Sequence, residues 1–111
     1  MIEFNEIKEI YAYCKDIDMR IGMNKIKSLL SMTFKPGEMI NNLFIFVSRN
    51  RRCIKVYYED LRGSWLLTNK IQYYKFQVEG LKEGEKISRE DLECLLSGVE
   101  MKSKRENKIA I

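Results

Sequence analysis

The stretch Leu43–Lys70, LFIFVSRNRRCIKVYYEDLRGSWLLTNK, holds three β-type segments joined by short polar links. Leu43–Val47 is apolar at every position, which predicts a strand in the centre of a sheet, covered on both faces. In Cys53–Tyr58, Ile54, Val56 and Tyr58 alternate with Lys55 and Tyr57, which predicts core on one side and solvent or ligand on the other. A turn through Glu59–Gly63 leads to a third strand, Ser64–Lys70. Links this short make consecutive strands antiparallel neighbours.

Working upstream, Ile10–Cys14 alternates and reads as a strand. Asp18, in a polar connection, is positioned to cap the helix that follows. Met23, Ile26, Leu29 and Leu30 repeat at helical spacing, predicting a helix from Gly22 to about Met32 with one buried stripe. Pro36-Gly37 predicts a turn. Downstream, Tyr73–Val78 reads as a fourth meander strand and residues 79–86 as a charged linker. Ser88-Arg89-Glu90-Asp91 fits a capping box ahead of the stripe Leu92, Leu95, Leu96 and Val99, with Gly98 as the stop. The expectation is one α+β domain over residues 1–101: a mainly antiparallel meander sheet, one helix in the N-terminal half and one at the C-terminal end. Residues 102–111 read as a basic flexible tail.

The 111 residues, 45% hydrophobic and 32% charged, suit a single modest core. No apolar run reaches the roughly 20 residues needed to span a bilayer, and MIEFNEIKEI is not a secretory leader, so a cytoplasmic protein without membrane contact is expected. Cys14, Cys53 and Cys94 are widely spaced and histidine is absent, which disfavours a disulfide framework, a zinc site and histidine acid–base chemistry. The residues point to no cofactor and no small-molecule substrate.

Charge is more informative in its distribution than in its total of +4. Residues 47–70 contain six cationic side chains against Glu59 and Asp60, residues 79–100 carry three positive against seven negative, and residues 101–111 four against one. A basic middle, an acidic penultimate segment and a basic tail favour an oriented encounter with a polyanion. Arg49, Arg51 and Arg52 are the leading candidates, because guanidinium forks match phosphate oxygens and one loop can present several of them. Lys55 and Lys70 extend this patch if their strands are neighbours, and Arg20 is a further candidate for phosphate or for a carboxylate partner. Trp65, Tyr57 and Tyr58 could stack on bases but are more simply core, with Tyr57 the best candidate for exposure. Asp16, Asp18, Glu59 and Asp60 are the carboxylates from which a metal site could be built, and turn or cap roles explain each singly.

The ordered motifs also carry a resemblance. Ile17-Asp18-Met19-Arg20 before a helix, Leu43-Phe44-Ile45-Phe46, the arginine-rich loop, Ile54-Lys55 with Val56, Tyr58 and Asp60, then Gly63, Trp65, Leu66 and Leu67, and Lys75-Phe76 follow one pattern. With the terminal Ile87-Ser88 and Leu92, Leu95, Leu96, Gly98 and Val99, this pattern is similar to that of the accessory transposition proteins encoded by the second reading frame of the insertion sequence 66 family, often called TnpB there. Glu59, Leu61 and Val78-Glu79 depart from it, standing where the family has a tryptophan, a glycine and a tryptophan–proline pair, and Val47, Cys53 and Asn69 replace basic positions. The resemblance implies a small non-catalytic protein that acts beside a separate transposase, with DNA or that transposase as partner. A toxin-type ribonuclease without histidine and a pure protein adaptor are the alternative readings.

Overall fold

The computed structural model describes residues 6–14, 18, 20–72, 75–78 and 80–97. Its elements are β1 (Ile10–Tyr13), α1 (Met23–Leu30), a single 3₁₀ turn (Pro36–Met39), β2 (Leu43–Val47), β3 (Cys53–Asp60), β4 (Gly63–Lys70), β5 (Glu85–Ile87) and α2 (Arg89–Ser97). The five strands form one mixed sheet in the order β4-β3-β2-β1-β5. The meander β2-β3-β4 is antiparallel as expected, with Ile45 opposite Val56 and Val56 opposite Leu67. β1 joins β2 in parallel, Ile10 opposite Leu43, because the chain crosses back through α1 before re-entering the sheet.

Two expectations downstream of β4 are corrected. Residues 75–78 are not a strand: Phe76 and Val78 are buried in the core, and the Phe76 amide donates to the Arg51 carbonyl (2.8 Å), so this segment packs on the sheet instead of extending it. The charged linker supplies a strand, β5, whose Ile87 pairs antiparallel with Ile10 at the other margin. The remaining expectations there, on Tyr73, Tyr74, Gly98, Val99 and the tail, lie outside the described residues.

Both faces of the sheet carry core. On one, Ile10, Leu43, Ile45, Ile54 and Tyr58 pack under Leu92 and Leu95 of α2. On the other, Phe44, Phe46 and Tyr57 lie under Ile26 and Leu30 of α1 and Met39 of the 3₁₀ turn. The aromatic side chains form a continuous layer on that second face, Tyr11 stacking on Phe44 (5.6 Å between ring centres) and Tyr13 on Phe46 (5.0 Å). Tyr57 is fully buried there, which corrects its reading as the exposed stacking candidate: α1 covers the face that the β3 alternation assigned to solvent or ligand.

The two helices begin differently. Ser88 Oγ accepts the Asp91 amide (3.0 Å), as the capping pattern predicts. α1 starts from Gly22 with no side-chain cap, and Asp18 instead forks onto Arg20. No disulfide joins the three half-buried cysteines. Among the described residues no helix is long and apolar enough to cross a membrane.

Candidate nucleic-acid interface

The β2–β3 loop is built by its small polar side chains. The Ser48 hydroxyl donates to Asn50 Oδ1 (2.6 Å) and accepts the Cys53 amide (3.0 Å), while Asn50 Oδ1 also accepts the Arg52 amide (3.0 Å). These bonds close the turn locally, as serine and asparagine do where they replace backbone partners. Arg51 adopts a left-handed conformation with φ 61°, and its amide donates to the Ser48 carbonyl (2.9 Å). Holding a long side chain in that region costs on the order of 1 kcal/mol.

The loop lies beside the end of β4, because Cys53 pairs with Lys70. Arg49, Arg52 and Lys70 line an open depression of about 860 Å³ together with Ser48, Asn50 and Gln72, and no carboxylate lines it. Arg52 also holds this depression in shape: its guanidinium donates to the Gln72 carbonyl and its carbonyl accepts the Ile71 amide. Among the described residues that line it, three are cations and none is a carboxylate, an arrangement that attracts anions.

Lys75 belongs to the same end of the molecule. It is exposed and adjacent to Phe76, whose amide is fixed on Arg51. Residue-by-residue reasoning did not single it out as a site residue. Its signal was the Lys75-Phe76 pair, which matches a basic-aromatic pair in the family pattern.

The other predicted cations are placed elsewhere. Lys55 lies on the α1 side of the sheet, half-buried, and its Nζ donates to the Ile21 carbonyl (2.8 Å), tying down the chain that enters α1. Arg20 is exposed and forms a two-pronged pair with Asp18, Nε to Oδ1 at 3.1 Å and Nη2 to Oδ2 at 3.0 Å. That hydrogen bonding, side chain first and Arg20 amide second, holds the Asp18 carboxyl down at about 2, with the charges of Arg20 and Lys55 acting the same way. Lys55 and Arg20 thus share a corner next to α1, apart from the depression.

Arg62, at the far end of the β3–β4 hairpin, is paired with Asp60 (2.7 Å) and Glu6 (3.2 Å). The Arg62 hydrogen bonds hold the Asp60 carboxyl below its usual range. Of the four candidate carboxylates Asp16 lies outside the described residues, and Asp18, Glu59 and Asp60 each have their own partner, Glu59 accepting the Tyr57 hydroxyl (2.6 Å). Among the described residues no group of three or more metal-ligating side chains is gathered.

The comparisons agree with the ordered motifs. Residues 8–106 match the family described as IS66 Orf2 like protein. An uncharacterized protein of Sinorhizobium fredii, y4hO, is 30% identical over 90 residues, covering 80% of this chain and 78% of that protein. No solved structure matches. The chain belongs to the IS66 Orf2-like family, whose role in transposition is an accessory one.

Proposed function

We propose that this protein serves transposition by holding the phosphate backbone of DNA against the β2–β3 loop, with Arg49, Arg51 and Arg52 as principal contacts and Lys70 beside them. The observation that carries this reading is the depression lined by Arg49, Arg52 and Lys70, with Arg51 in the same loop but outside that lining, and with no carboxylate among its described lining residues. Its cations are short-range partners for phosphate oxygens, and arginine can meet two of them at once. One N–H of Arg52 is engaged by Gln72, so that residue both shapes the depression and has further donors to offer. Lys55 and Arg20 form a second basic corner whose charges are already partnered, and they contribute less. The basic tail, residues 102–111, adds sequence-independent attraction.

Contacts of this kind position a protein on DNA and carry little base information. Labelled duplexes from the ends of the element and of unrelated sequence should therefore both bind, with affinity falling steeply as salt rises. Absence of DNA binding together with co-purification of the transposase would replace this reading by the adaptor one. Cleavage of RNA by the purified protein would replace it by the ribonuclease one.

A further inference from the structure

Among the described residues the sheet ends on the eight-residue β4 at one margin and on the three-residue β5 at the other. Exposed edges ordinarily carry charge, proline or a bulge that stops another strand from adding. β5 is short and presents Lys86, held by Glu9. β4 has none of these devices between Gly63 and Asn69: it has no charge and no proline there, and its register with β3 runs unbroken from Gly63 to Lys70. Leu67 is 44% exposed on this strand. Beside it Ile54, Val56, Ile71, Phe76 and Leu96, with Thr68 and Asn69 on the strand itself, line a mainly apolar groove of about 460 Å³.

We propose that β4 is an assembly edge that pairs antiparallel with β4 of a second copy of this chain, about a two-fold axis at Leu67. A two-fold perpendicular to the sheet keeps both faces continuous only when the paired residue numbers have the same parity, since side chains alternate along a strand. Centring on Leu67 sets Leu67 against its own counterpart, Leu66 against Thr68, Trp65 against Asn69 and Ser64 against Lys70. The result is a continuous ten-stranded sheet in which the two apolar grooves meet across the Leu67 pair.

Charge selects the second copy over an arbitrary strand. Ser64 pairs with Glu59 of β3, and the Tyr57 hydroxyl reaches both side chains, so Ser64 and Glu59 share a face. Lys70 is on that same face by alternation. In the Leu67 register the second copy's Lys70 lies opposite small Ser64, with Glu59 one strand further, about 10 Å away between backbones. Extended lysine and glutamate side chains meet over that span, and the two-fold makes the pair twice. A foreign strand would need to bring its own matching cation. Lys70 at the end of the edge and Ile71 in the groove also line the phosphate depression, and the proposal does not depend on DNA binding.

The test is sedimentation equilibrium of the full chain from low to high micromolar concentration, with hydrogen exchange at two concentrations. The expected result is a reversible dimer whose 63–70 amides gain protection as concentration rises. Leu67→Lys, which sets two ammonium groups against each other on the axis, should weaken the dimer about tenfold or more without changing the monomer's circular dichroism. Lys70→Glu should weaken it as well, Glu59→Lys in the same chain should restore it, and Arg49→Ala should leave it intact. A chain that is monomeric throughout, or a dimer that both Leu67→Lys and Lys70→Glu leave unchanged, overturns the proposal. If Leu67→Lys does not fold, Lys70→Glu, at an exposed position on the end of the strand, decides alone.

Discussion

At the scale of single residues, the basic loop separates backbone from charge. Arg51 occupies a left-handed conformation that asparagine tolerates and β-branched residues resist. Arg51→Asn should therefore leave stability within about 0.5 kcal/mol, whereas Arg51→Val should cost about 1–2 kcal/mol, both read from urea unfolding midpoints. DNA affinity should fall in both. Asp18 offers a pH signature. Its carboxyl, held at about 2 by Arg20, is depressed in the fold relative to its ordinary value of 3.8, so whatever the pair adds to stability is present above pH 4 and is lost as pH falls toward 2. An NMR titration should find the Asp18 midpoint near 2, moving up toward the ordinary value in Arg20→Ala. Lys55, by contrast, is a fastening for α1: Lys55→Met should lose about 1 kcal/mol of stability with the bond to Ile21.

At the scale of elements, what the sequence made legible was local. β2 is apolar at all five positions and proves buried at all five, and the hairpins on either side of β3 follow from their short links. The α2 start was legible too, and Ser88→Ala should cost about 1 kcal/mol in thermal or urea unfolding because it removes the acceptor of the Asp91 amide. Non-local pairing was hidden. Glu85-Lys86-Ile87 has no strand-like composition and becomes β5 because β1, some seventy residues earlier in the chain, offers it an open edge. The aromatic segment near Phe76 looks like a strand for the opposite reason: its apolar residues serve the α2-side core while its backbone bonds to the β2–β3 loop. Tyr57 was misassigned because alternation separates two faces without saying that a helix covers each.

At the scale of the whole molecule, the charges are sorted by the ends of the sheet. Arg62 pairs with both Asp60 and Glu6 at the β3–β4 turn, while Arg49, Arg52 and Lys70 line the depression at the opposite end of the same hairpins, with Arg51 in the loop beside it. The local excess of charge was readable as a count, but not which cations were already spoken for, since that depends on the fold bringing Glu6 to Arg62 and Ile21 to Lys55. The family pattern gave the biological setting and the loop as its basic landmark.

The most direct measurement is the salt dependence of binding to a duplex from the element's ends, for the full chain and for an Arg49→Ala, Arg51→Asn double variant. The phosphate contact proposed for the loop predicts that the slope of log affinity against log salt flattens by about 0.9 for each contact removed, roughly two in the double variant, with affinity down tenfold or more at low salt. A folded double variant with the slope and affinity of the original chain would contradict it.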